Sequence, residues 1–156
     1  MRLDIPEHKI LVHELTIPIF WGDMDALGHV NNATYFRYME QARVSWITSI
    51  GGAVDGEAEE GPVIANTFCN FYSEVVYPGE LLLKLHVANP GRTSFDTYVT
   101  MERVDDPGKV CAAGGATLVW ISMNGGRPAA LPPFLRAIVS TTQALPGQET
   151  PPALPA

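Results

Sequence analysis

One stretch of this chain reads as a long helix, and almost everything around it reads as strand. From Asn32 to Ile50, the residues Phe36, Met39, Arg43, Trp46, Ile47 and Ile50 recur at spacings of three and four, and Tyr35, Tyr38 and Ala42 widen the stripe. A helix that is apolar over so much of its circumference has to be wrapped by something, and a sheet is the only wall this sequence offers. Gly51-Gly52 stops the helix.

The strand signals are period-two alternations. In the segment from Lys9 to Trp21, Leu15, Ile17, Ile19 and Trp21 alternate with Glu14, Thr16, Pro18 and Phe20; Pro18 lacks an N–H and favours an edge or a bulge. Val63 to Val76 reads as a long strand carrying a single charge, Glu74. Two shorter alternations follow, Leu81 to Val87 and Phe95 to Glu102, and then Val110 to Met123 with its apolar Leu118-Val119-Trp120-Ile121. Turn residues separate them at Pro78-Gly79, Asn89-Pro90-Gly91, Asp105 to Gly108 and Asn124 to Gly126. Such close breaks favour antiparallel hairpins. Pro133 to Val139 reads as a short helix. The order strand, helix, four strands gives an α+β domain with a curved five-stranded antiparallel sheet around one long helix.

A length of 156 residues fits one domain, residues 1–142, followed by a proline-rich disordered tail from Gln143 to Ala156 with little to bury. Met1 to His8 reads as a loose leader, and Asp55 to Gly61 as a mobile acidic loop. A net charge of −7 with only 10 Lys and Arg argues against nucleic acid or an anionic membrane as partner. No signal-peptide h-region and no membrane-length apolar run occur, so a cytoplasmic location is expected. Cys69 and Cys111 lack metal-type spacing and read as buried thiols; no metal site is expected.

The chemistry concentrates ahead of the helix, in FWGDMDALGHVNNATYFRYMEQARVSW from Phe20 to Trp46. Asp23, Asp25, Gly28 and His29 precede the Asn31-Asn32 pair, and asparagine is a strong helix N-cap. Two acids therefore stand at the positive end of a helix dipole with its free N–H groups, which is ground suited to holding an oxyanion. From spacing alone, Asp25 is either a turn-capping side chain or a base or nucleophile. Asp23 suits a loop-holding role. His29 has no Ser or Cys beside it to make a triad and reads as a hydrogen-bonded loop residue. Glu40 and Arg43 are spaced for an ion pair, although a helix carboxylate can also face a site.

The D-x-D-x-x-G-H-V-N-N-x-x-Y run followed by E-x-A-R resembles the opening of the hotdog-fold acyl-CoA thioesterases of the 4-hydroxybenzoyl-CoA thioesterase type. Asn70-Phe71 with Tyr77-Pro78-Gly79, and Gly91 to Phe95, resemble later parts of that family. The resemblance spans roughly Leu11 to Arg136. It implies a hotdog fold, an acyl-CoA substrate and no separate cofactor, since coenzyme A is part of the substrate. It makes Asp25 the catalytic carboxylate and the backbone N–H of Asn32 the oxyanion donor. Several relatives carry histidine where this chain has Asn32. It also implies a homodimer or homotetramer joined through the Val63 to Val76 strand. For the coenzyme, Arg92, Thr93 and Ser94 are the candidate phosphate contacts, with Arg103, Lys109 and Arg127 as further cations. The rival expectation is a non-hydrolytic hotdog module that binds an acyl ligand or an acyl carrier protein.

Overall fold

The computed structural model describes residues 3–52 and 57–141; the tail from Gln143, and Asp55 and Gly56 of the acidic loop, lie outside the described residues. Strand β1 (Ile10–Pro18) leads through a single 3-10 turn (Trp21–Asp23) into α1 (Asn32–Ser49). Then come β2 (Glu60–Phe71), β3 (Glu80–Ala88), β4 (Ser94–Arg103), β5 (Val110–Ser122) and a short α2 (Pro133–Val139). The sheet is antiparallel throughout, in the order β1-β3-β4-β5-β2. Pro18 closes an edge strand, where its missing N–H costs no ladder bond.

The turns after β3 and β4 are hairpins, as their spacing predicts, but the break at Pro78-Gly79 is not. α1 carries the chain from one side of the sheet to the other, so β2 pairs with β5 at the far edge and the chain must return to set β3 beside β1. β2 also ends five residues earlier than the alternation suggests. Beyond Phe71, the N–H groups of Tyr72 and Ser73 both turn to the Cys111 carbonyl at 2.9 and 3.1 Å, and the chain leaves the ladder.

α1 lies along one face of the sheet. Tyr35, Tyr38, Met39, Ala42 and Trp46 are buried against it, with Trp46 edge-on to Phe95 of β4 at 6.0 Å between ring centroids. Leu81, Leu83, Leu85 and Val87 of β3 are fully buried in the same core. The close approach requires Gly114 in β5, because a Cβ there would meet the Phe68 carbonyl and the Met39 sulfur. The sheet covers one side of α1 and does not surround it. Phe36, Val44 and Ile47 face a cavity between α1 and β2 instead. The wide apolar pattern of the helix is thus two walls, one toward the sheet and one toward open space.

The leader is not loose. The N–H of Leu3 donates to Asn70 Oδ1 at 3.3 Å, and Asn70 Nδ2 donates back to the Leu3 carbonyl at 2.8 Å. Asn70 belongs to β2, at the opposite edge of the sheet from β1. Four strand spacings come to about 19 Å. The seven residues from Leu3 to Ile10 reach at most about 25 Å. The leader therefore crosses the sheet almost straight. Cys69 packs toward the core, so its neighbour Asn70 points to the other face, away from α1. On that outer face His86, Thr100 and Glu102 are buried, and Lys84 pairs with Glu102 at 3.4 Å. Burial, together with the charge of Lys9, pushes the His86 pKa down to about 4. Neither ring nitrogen has a hydrogen-bond partner of good geometry, although backbone groups of Tyr98 and Lys84 lie near, and the ring is neutral at pH 7.

Candidate active site

The loop from Ile19 to Asn31 is tied down at both ends before it carries any chemistry. The Ile19 N–H donates to the Gly79 carbonyl and the Val30 N–H to the Val75 carbonyl, each at 2.8 Å. Asp23 does the holding expected of it. Its Oδ2 accepts the Phe20 N–H at 2.9 Å and the Tyr38 hydroxyl at 2.8 Å, and its carbonyl accepts the Asn31 N–H at 2.9 Å. Burial and the Asp23 carboxylate together raise the Tyr38 pKa, so the phenol stays protonated as the donor.

Asp25 sits at the head of a tight turn. Its carbonyl accepts the Gly28 N–H at 3.0 Å, and Gly28 takes φ +84°, a conformation that favours glycine. Asp25 Oδ1 accepts the Leu27 N–H and Oδ2 accepts Asn31 Nδ2, both at 2.9 Å. Asn31 is the N-cap of α1: its Oδ1 accepts the Ala33 N–H at 2.9 Å. One side chain therefore fixes the carboxylate and the helix start together. With Ala33 capped by Asn31, the Asn32 N–H at the first helical position has no acceptor among the described residues and lies at the positive end of the helix.

Asp25 and Asn32 line the same cleft of about 350 Å³. Its opposite wall is Phe71 to Glu74, the stretch that leaves the β2 ladder. Tyr35 meets Phe71 edge-on at 5.0 Å, and His29 Nε2 lies 3.5 Å from Glu74 Oε1. Sequence reasoning missed this wall and the Asn31–Asp25 bond. The wall is remote in sequence, whereas an Asn six residues after an Asp and next to the helix start is a signal that spacing offered.

The Gly91 turn does not join the cleft within one protomer. Arg92, Thr93 and Ser94 sit where β3 ends and β4 begins, while the Asp25 loop hangs from Val75 and Gly79, just before β3 starts. The nine residues of β3 separate the two ends by about 30 Å. The turn is held by its carbonyls. Arg136 Nη2 donates to the Gly91 and Arg92 oxygens at 2.8 and 3.0 Å, Leu131 N–H to Arg92, and Trp120 N–H to Thr93 at 2.7 Å. The Arg92 residue is exposed. Of the other cations, Arg103 is committed to Asp105 and to the Val76 and Pro78 carbonyls, and Lys109 lies 3.8 Å from Asp106. The expected Glu40–Arg43 pair does not form: Glu40 is exposed, whereas Arg43 is buried. Both line the 590 Å³ cavity beside α1. Cys69 and Cys111 are free thiols. Among the described residues no helix is long and apolar enough to cross a membrane.

Known proteins share this fold. The PA2801 protein of Pseudomonas aeruginosa is 34% identical and superposes with a TM-score of 0.80 over 83% of this chain and 99% of its own. The PA5185 protein of the same species is 27% identical, with a TM-score of 0.75 over 87% and 97%. Slr0204, a 1,4-dihydroxy-2-naphthoyl-CoA thioesterase from Synechocystis, shares the fold at 15% identity, with a TM-score of 0.73 over 81% and 93%. The model of the thioesterase-like superfamily matches residues 19–139, from the end of β1 to the end of α2, and the chain belongs to that family of hotdog-fold proteins.

Proposed function

We propose that the protein hydrolyses acyl-CoA thioesters to a carboxylic acid and coenzyme A. One observation carries the reading: a carboxylate oriented by two hydrogen bonds and a helix-start N–H without an acceptor line one cleft. Asp25 acts as general base. It takes a proton from a water that attacks the thioester carbonyl, and the carbonyl oxygen, now negative, accepts the Asn32 N–H. When the tetrahedral intermediate collapses, the C–S bond breaks and the proton on Asp25 passes to the leaving sulfur. Membership of the superfamily supports the reaction class, and the non-hydrolytic alternative finds no use for so carefully held a carboxylate.

The coenzyme contact belongs between copies of the chain, because Arg92, Thr93 and Ser94 lie at the far end of the sheet from their own Asp25. β2 is an edge strand with Val63 and Ile64 exposed, a template for pairing with a second β2. Such a dimer would extend the sheet beside the open flank of α1. A folded monomer at micromolar concentration by light scattering would remove this assembly.

A thiol-release assay across aliphatic and aromatic acyl-CoAs tests the reaction class, with no release across the panel counting against it. A single turnover in oxygen-18 water, with enzyme in excess, tests the role of Asp25. The base route puts label in the product acid alone; label in the peptide containing Asp25 would mean that the carboxylate attacks the thioester itself.

A further inference from the structure

We propose that the leader from Leu3 to Lys9 is an acid-released cover: protonation of His86 beneath it lifts the strap and bares the outer face of the sheet. The ladders fix what lies under the strap. It leaves β1 at Ile10, opposite Val87, and ends at Asn70, whose row across the sheet runs through Ala113, Thr100 and Lys84. The next row on that face holds His86, Tyr98 and Gly115. A straight path between the two ends passes over both rows, and His86, Tyr98, Thr100 and Ala113 are all buried. The helices do not bury them, because α1 lies on the other face and α2 places Leu135 and Val139 in the same core as α1.

His86 is only 1% exposed, and both of its ring nitrogens are shut off from solvent without a well-formed hydrogen bond. Such a ring can stay buried while it is neutral; a proton on it adds a charge with nothing to receive it. The charged groups around it offer no relief. From the strap comes Lys9, half-buried, while Asp4, Glu7 and His8 are exposed. From β3 comes Lys84, which pairs with Glu102 of β4 at 3.4 Å and stands opposite the exposed Glu14 of β1. Also on β4, Asp96 is taken up by Asn89 at 2.8 Å and Thr117 at 2.6 Å, and the Tyr98 hydroxyl lies 3.4 Å from it. On β5 this face presents Ala113 and Gly115, with no charge.

The strap is lightly fastened. Leu3 exchanges two hydrogen bonds with the Asn70 side chain, and Lys9 Nζ donates to the Pro6 carbonyl at 3.0 Å. A segment with so few bonds opens without the rest of the domain. Opening gives His86 back to water and to its ordinary pKa of 6.5, whereas under the strap burial, then Lys9 and more weakly Lys84, hold it at about 4. The open form therefore binds the proton more tightly. Closure is undiminished above pH 6.5, and between 6.5 and about 4 the open form gains about tenfold for each unit the pH falls. Over the whole window the gain reaches about three-hundredfold.

The test is an NMR titration of the full chain from neutral pH into the acid range at constant salt. The expected result is one transition in which the backbone signals of Leu3 to Lys9 and the Asn70 side-chain amide move to unstructured positions together with protonation of the His86 ring, while the Trp46 indole in the core stays put. In His86→Leu, which keeps an apolar side chain of similar bulk and leaves His8 in place, the strap signals hold through the same range. Asn70→Ala removes the two far bonds and weakens closure by about tenfold or more, so the His86 ring titrates about one pH unit higher, nearer 6.5. Three results overturn the proposal: a ring that takes its proton while the strap stays in place, a strap that opens equally in His86→Leu, or a Trp46 signal lost in the same transition, which is acid unfolding of the whole domain. An Asn70→Ala protein whose His86 titrates as in the parent chain overturns it as well, whether or not His86→Leu folds.

Discussion

The Asp25 loop and the Gly91 turn look alike as sequence: each is a glycine-containing turn with polar side chains between a strand and the next element. The structure treats them oppositely. In the Asp25 loop the side chains do the bonding, through Asp23, Asp25 and Asn31, and a backbone donor is left open at the helix start. In the Gly91 turn the backbone carbonyls are taken, by Arg136, Leu131 and Trp120, and the Arg92 side chain is left in solvent. On the proposed reading, where the hydrogen bonds have already gone separates a loop that keeps a donor open for a substrate from a turn whose backbone is already committed.

The sharpest way to break this contrast is Asp25→Asn. It keeps the shape and an acceptor for Leu27, and removes the proposed base. We expect kcat to fall at least about a hundredfold with the fold intact. A variant with near-normal kcat would reduce the loop to a turn like the other. Next comes Asn31→Ala, which cuts the link between carboxylate and cap. Losing the cap costs about 1 kcal/mol of stability. A base displaced by part of an ångström costs roughly tenfold in kcat. If urea midpoints shift while kcat holds, Asn31 is a cap and nothing more.

The other two changes probe the turn. Arg136→Met removes the donor to two carbonyls and should lower stability by about 1–2 kcal/mol with kcat per folded molecule unchanged. A kcat loss without destabilisation would show that the turn also takes part in the chemistry. Arg92→Ala should have the smallest effect, a rise of a few-fold in KM at low salt that fades as salt screens the exposed charge, with kcat unmoved. A salt-independent KM would place the coenzyme phosphates elsewhere.

What the sequence revealed follows from how local each signal is. The alternations at Leu81 to Val87 and Phe95 to Met101 are properties of single strands, and they appear where they were read. Gly51-Gly52 and the Asn31-Asn32 pair bracket α1 closely, because caps act within one turn. Pairing across the sheet is not local. Nothing in Glu60–Phe71 says that its partner is β5, 39 or more positions onward, and the Pro78-Gly79 break resembles a hairpin turn as much as a crossover. The same limit hid the Phe71 to Glu74 wall, which reaches Asp25 only after the chain has crossed the sheet. The Glu40–Arg43 spacing suggested an ion pair that does not form: both residues line the cavity beside α1, but Arg43 is buried in its wall while Glu40 is exposed.

The strap formed by Leu3 to Lys9 has a consequence in time. It and β1 leave the ribosome early, yet β1 has no partner until β3 has been made, and Leu3 has none until Asn70 has, 67 positions later. The first-made part of the described chain is therefore among the last to settle. Contacts this distant along the chain slow folding and leave apolar strand exposed while they wait. Ile10, Leu11 and Leu15 wait longest among the apolar residues of β1, for partners 77, 75 and 68 positions onward.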